Sequence, residues 1–250
     1  MSSTPTPLIA GNWKMNGTEA SLAEVTALAQ ALQNEPTRAR VAVCPPATLV
    51  ERASQAALGS GVEIGGQDCR AEPFGAFTGD IAAEMLADAG ATLVILGHSE
   101  RRSGYGETDA AVCAKVTAAI RAGLEPIVCV GETLEERRAG KAVEVVQGQV
   151  THSLPDDLHG RAFSVAYEPV WAIGSGLTPS LAEIGEVHQA IRETLLARFG
   201  DAGAGVAILY GGSVKPNNAA EILAVQDVGG ALVGGASLKA ADFLWIIRAV

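Results

Sequence analysis

Eight short apolar runs of β type recur along this chain, and each ends in glycine or a polar residue before a helical stretch begins. The runs are Leu8–Ala10, Val41–Cys44, Val62–Ile64, Leu93–Leu96, Ile127–Val130, Phe163–Tyr167, Val206–Tyr210 and Ala231–Val233. Strands alternating with helices build parallel sheets, since parallel neighbours need a long crossover, usually a helix. Eight such units in 250 residues is the pattern of an α/β protein of the (β/α)8 barrel type, whose usual length is roughly 250 residues. No Gly/Ser- or Pro-rich linker divides the chain, so residues 8–250 read as one barrel domain. Residues 1–7 read as a short, frayed N-terminal extension.

Composition excludes several classes of function. The net charge is −10, so the basic footprint of a nucleic-acid or membrane-surface binder is absent, and an anionic ligand has to be held by local devices. No run approaches ~18 apolar residues, and residues 1–7 lack the features of a signal peptide. The four cysteines form no C-x-x-C pair; Cys44 and Cys129 lie in apolar runs and read as core residues of a reducing, cytoplasmic protein. The histidines are scattered, and no His/Cys/carboxylate set has metal-ligand spacing.

A (β/α)8 barrel carries its chemistry at the C-terminal ends of its strands. Glu168 ends the sixth run, before Pro169; burial there raises a carboxyl's pKa and makes it a candidate general base. A rim salt bridge is the plainer alternative. His98 is the one histidine at a strand end, and a helix beginning at Ser99 would disfavour the imidazolium and leave a neutral proton donor. His188, within a helix, reads as structural. Asn12 and Lys14 follow the first run; the lysine suits a phosphate, an enolate or a Schiff base, or is an ordinary surface residue. Gly211-Gly212-Ser213 and Gly234-Gly235 follow runs seven and eight, where barrels often bind phosphate through closely approaching backbone amides. The apolar segment from Pro169 to Gly176 reads as a lid over the pocket or as a static packed loop.

Local signals complete the reading. Ser21-x-x-Glu24 has the form of a capping box, the helix after the sixth run starts either at Thr178-Pro179 through an N1 proline or at a Ser180-x-x-Glu183 capping box, and Gly123 has the form of a helix C-cap. Alternation turns Trp13 and Met15 away from the Asn12/Lys14 side, into packing. The long loop from Asp68 to Gly79 carries Phe74 and Phe77, which either fold back on their own subunit or meet a partner.

Four segments together resemble the triosephosphate isomerase family, from Leu8 to the C-terminus. They are Asn12-Trp13-Lys14-Met15-Asn16-Gly17, Gly97-His98-Ser99-Glu100-Arg101-Arg102, Tyr167-Glu168-Pro169-Val170-Trp171-Ala172-Ile173-Gly174 and Tyr210-Gly211-Gly212-Ser213-Val214. This resemblance implies a TIM barrel that interconverts dihydroxyacetone phosphate and glyceraldehyde 3-phosphate without a cofactor or metal. The family is itself the standard illustration of a glutamate base beside a neutral histidine. The resemblance makes Glu168 the base, His98 the electrophile and proton shuttle, and Lys14 and Asn12 the groups that stabilise the enediolate. It assigns the phosphate to Gly174, Ser213, Gly234 and Gly235, and leaves Glu100 and Cys129 as supporting residues. It also implies a homodimer through the loop 68–79, with Thr78 near the other subunit's Asn12 and Lys14. A glycolytic or gluconeogenic role follows from the same resemblance. Two departures, Leu177 where the family often has lysine and Pro179 two residues later, bear on the lid's far hinge; Ser175 keeps the hydroxyl of a common threonine. Read from the residues alone, a Schiff-base aldolase using Lys14, a metal-dependent sugar-phosphate epimerase and a non-catalytic binding module stay open.

Overall fold

The computed structural model describes residues 5–174 and 177–250. Its strands are β1 (Leu8–Asn12), β2 (Arg40–Cys44), β3 (Val62–Gly66), β4 (Leu93–Leu96), β5 (Glu125–Val130), β6 (Ser164–Tyr167), β7 (Ala207–Tyr210) and β8 (Gly230–Val233). All neighbours pair in parallel and in chain order, and β8 returns to β1 to close the barrel. Every run expected from the sequence lies on one of these strands, with ends shifted by at most two residues. The helices that cover them are α1 (Leu22–Asn34), α2 (Val50–Ala56), α3 (Ala83–Asp88), α4 (Ser99–Tyr105), α5 (Asp109–Arg121), α6 (Leu134–Arg138), α7 (Ala142–Ser153), α8 (Leu181–Phe199), α9 (Asp201–Ala204), α10 (Ala219–Leu223) and α11 (Ala240–Ile247).

Period-2 alternation separates two apolar cores. Leu8, Ala10, Cys44, Leu93, Ile95, Ile127, Cys129, Ala166, Leu209 and Leu232 fill the barrel interior. Ile9, Val41, Val43, Val94, Leu96, Val128, Val165, Ile208 and Val233 face the helices. The same parity decides what reaches the barrel mouth: residues 12 and 168 continue the inward series of β1 and β6. β4 needs a correction to that series, because 93 and 95 are inward and 98 falls on the opposite parity. Gly97 supplies it with a left-handed φ of 66°, and a Cβ there would sit 2.8 Å from Val112 Cγ2.

Two local expectations fail. Ser21 does not cap α1 with its side chain; it closes a preceding 3-10 turn, where its hydroxyl accepts from the Thr18 amide. Glu24 instead accepts from Lys239 Nζ (2.8 Å) and the Ala240 amide (2.9 Å), tying α1 to the start of α11. The Ser180–Glu183 box caps α8 as expected, and Gly123 has the left-handed φ of a helix stop. Trp13 is buried, but Met15 is 95% exposed. β1 ends at Asn12, so strand alternation no longer governs residue 15.

The loop 68–79 divides its aromatics between the two readings. Phe77 folds back beneath the Arg70 guanidinium, 3.8 Å from its ring centroid, while Phe74 points outward and is 80% exposed. Ion pairs from Arg70 to Glu72 and Asp80 brace the turn. Among the described residues, no helix is long and apolar enough to cross a membrane.

Candidate active site

A cavity of about 380 Å³ opens at the C-terminal mouth of the barrel. Asn12, Lys14, His98, Glu168, Gly174, Ser213, Gly234 and Gly235 all line it, so the structure brings together every site residue expected from the sequence. Asn12, His98 and Glu168 are buried in its floor.

Register places the carboxylate. The Glu168 amide donates to Val130 O (2.7 Å) and the Gly211 amide to Tyr167 O (2.7 Å), so β6 is held on both sides where its last side chain turns inward. A Cβ at Gly211 would come within 2.9 Å of Glu168 Cγ; only glycine there leaves the glutamate its place.

His98 Nε2 lies 2.8 Å from Glu168 Oε1, and the Ser99 amide donates to Oε2 at 2.9 Å. The Glu100 amide lies 3.2 Å from His98 Nδ1 and Glu100 Oε2 lies 3.6 Å from it, so the ring is held with its Nε2 edge facing Glu168. The imidazole expected at position 98 thus lies at the cavity floor with Nε2 against the carboxylate.

The expected upward shift of Glu168 does not hold. Burial, the largest single influence, does push its pKa up. The His98 ring, the Ser99 amide and the Lys14 ammonium together outweigh it and hold the carboxyl below its ordinary value. It rests as a carboxylate, with both oxygens engaged.

Lys14 stands in a left-handed backbone conformation (φ 54°), uncommon for a residue with a side chain and a form of strain that clusters at functional sites. Asn12 Oδ1 accepts from its amide (3.0 Å), and Gln67 Nε2 donates to its carbonyl (2.9 Å). Its ammonium reaches across to Glu100 Oε1 at 2.6 Å.

The segment after Glu168 is anchored at its start. Val170–Ala172 form a 3-10 turn, Ala172 is buried, and the Trp171 indole donates to Glu132 Oε1 at 2.8 Å. Arg137 and the Tyr167 hydroxyl converge on the same buried carboxylate. Ile173 and Gly174 border the cavity. Ser175 and Gly176 lie outside the described residues, as do residues 1–4.

Sequence reasoning missed Lys215, a second cation on the cavity wall beyond Ser213, and Gln67 and Glu132, which hold other site residues in place. Lys215 was within reach, two residues past the Gly211-Gly212-Ser213 segment already singled out. Gln67 and Glu132 act through geometry between distant loops, and no local pattern announces them.

A parallel eight-stranded barrel with a buried carboxylate and an imidazole in contact at its mouth, opposite glycine-rich loops, holds the groups that an enzyme of proton-transfer type needs. The model of the triosephosphate isomerase family matches residues 7–250. The chain is 63% identical to triosephosphate isomerase of Caulobacter vibrioides over all of its own length and 98% of that protein. It is 61% identical to that of Afipia carboxidovorans, over 97% of each chain. The crystal structure of triosephosphate isomerase from Bartonella henselae, 50% identical, superposes with a TM-score of 0.91 over 98% of both chains. The chain belongs to the triosephosphate isomerase family, aldose–ketose isomerases that interconvert dihydroxyacetone phosphate and glyceraldehyde 3-phosphate.

Proposed function

We propose that Glu168 and His98 carry this isomerisation as base and acid. The observation that supports the reading is their 2.8 Å contact in the floor of a cavity rimmed by two glycine loops. His98 Nε2 faces Glu168 Oε1. A substrate carbonyl entering between them takes that hydrogen bond and frees Glu168 Oε1 for the adjacent carbon. Glu168 removes a proton there and returns it to the neighbouring carbon, while His98 moves protons between the two oxygens. Lys14 and Asn12 stabilise the enediolate, and the amides of Gly174, Gly234 and Gly235 with the Ser213 region hold the phosphate. Closure of the segment after Pro169 excludes water. Lys14 is ion-paired to Glu100 rather than desolvated among apolar groups, which is not the setting of a Schiff-base lysine. No second chemistry is favoured.

The test is conversion of glyceraldehyde 3-phosphate by wild type and Glu168→Gln, followed through a coupled dehydrogenase. Removing a general base costs roughly 10²–10⁴-fold, so the variant is expected to lose at least that much turnover while staying folded. Turnover that survives the substitution would overturn the assignment of Glu168.

The working form we propose is a cytoplasmic homodimer. Met15, Phe74 and Tyr105 expose large apolar surface, and a cavity of about 720 Å³ opens beside Lys14, Met15, Gln67, Arg101 and Tyr105. A second copy seating its Phe74–Thr78 segment there places Thr78 near Asn12 and Lys14. Sedimentation of wild type as a dimer and of Phe74→Asp as a monomer is the expected result; a monomeric wild type would refute it.

A further inference from the structure

The backbone that carries Glu168 is braced by consecutive residues at the end of β5. The Glu168 amide donates to Val130 O (2.7 Å), and the Val170 amide donates to Glu132 O (3.1 Å). Between these two bonds lies Gly131, pressed against the Glu168 carbonyl. A Cβ at Gly131 would sit 1.7 Å from Glu168 O and 2.7 Å from the carbonyl carbon. No side chain fits there, so the middle of the brace has to be glycine.

Glycine has a drawback at this point. It is the residue least restrained in its own backbone angles, and β5 ends at Val130, just before it. One side chain supplies the missing restraint. Gln149, on α7, accepts from the Gly131 amide through Oε1 (2.7 Å) and donates from Nε2 to the Gly131 carbonyl (3.1 Å). A single primary amide thus pairs with both backbone groups of the residue that abuts Glu168.

We propose that Gln149 is a positioning residue for the base: it fixes the Gly131 peptide groups and, through them, the place of Glu168 relative to His98. The inference rests on the reading of Glu168 as the base. A reacting group has to be held within about 0.5 Å of its productive place, and a misplacement of about 1 Å costs up to roughly 10²-fold in rate. Gln149 does not line the substrate cavity, so it acts through Glu168 and not on the substrate. Ser213, Gly234 and Gly235, assigned to the phosphate, follow β7 and β8. Loss of the grip is therefore felt in the chemical step and not in phosphate binding.

The experiment measures kcat and KM for glyceraldehyde 3-phosphate, together with inhibition by inorganic phosphate. Gln149→Met removes both hydrogen bonds at nearly unchanged volume. It is expected to lower kcat about tenfold or more, with KM and the inhibition constant for phosphate within about twofold of wild type. Gln149→Glu keeps the acceptor for the Gly131 amide and loses the donor to its carbonyl; it is expected to show the same split and carries the test if Gln149→Met does not fold. Val150→Ala opens a cavity beside the next residue of the same helix, where Val150 is fully buried, and is expected to lower the urea midpoint while leaving kcat unchanged. A kcat near the wild-type value in a folded Gln149→Met would overturn the positioning role. So would a loss of kcat matched by an equal loss of phosphate affinity, or one reproduced by Val150→Ala. Turnover surviving Glu168→Gln would overturn the base reading itself.

Discussion

The two ends of the barrel each hold a cluster of carboxylates and cations, and they are built on opposite plans. At the N-terminal end, Arg40 is gripped by both oxygens of Glu63 (2.9 and 2.9 Å) and both of Glu125 (3.2 and 2.7 Å). Ser164 and Thr92 add hydrogen bonds to the same carboxylates. Glu63, then Glu125, hold the guanidinium's pKa above its already high value. Three strands are pinned by one planar group with its donors matched. At the C-terminal end the charges surround a cavity, Lys14 sits in a strained backbone, and His98 and Glu168 face each other in the cavity floor. One cluster fills the space between three strands; the other lines a cavity. This division matches the barrel's general separation of stability from chemistry.

The largest expected effect falls on the reactive end. His98→Asn removes the acid and is expected to lower kcat by roughly 10²–10⁴-fold, with the urea midpoint little changed. A variant with near wild-type kcat would break the comparison. Arg40→Met does the reverse: discounted for the partial exposure of the guanidinium, the two carboxylates left unpaired cost about 2 kcal/mol. Turnover per folded molecule stays near wild type. Loss of kcat at full stability would show that the rear cluster also tunes the site.

His188 sharpens the comparison from between the two ends. It is buried on α8, edge-on to Tyr167 at 5.8 Å, with Nδ1 3.3 Å from Asp227 O. Burial, the main cause, pushes its pKa down to about 4. The unfolded chain, with an ordinary histidine near 6.5, binds a proton that the folded protein refuses. Stability therefore falls as pH drops from about 6.5 to about 4, by at most about 1.4 kcal/mol per pH unit from this group. His188→Leu is expected to flatten that slope in urea titrations, and an equal slope in both proteins would show that other groups dominate.

The eight strands and the members of the site were legible because parity and strand ends are local properties. Gly97 shows the limit: parity alone turns His98 outward, and only its place after a glycine permits the flip that brings it into the mouth. Met15 was misplaced because the strand rule was carried past Asn12. Ser21 was misread because a short 3-10 turn claimed its hydroxyl first. The direction of the Glu168 pKa shift was beyond reach: burial can be read from position, but the groups that outweigh it come from the segments after β1 and β4.

The role proposed for His98 is that of a neutral acid whose Nε2 proton serves Glu168 and then the substrate. Nitrogen-15 NMR of histidine-labelled protein tests it most directly. The expected spectrum of His98 near neutral pH shows a protonated Nε2 and an unprotonated Nδ1. Two protonated ring nitrogens at that pH, or a proton on Nδ1 alone, would contradict the account.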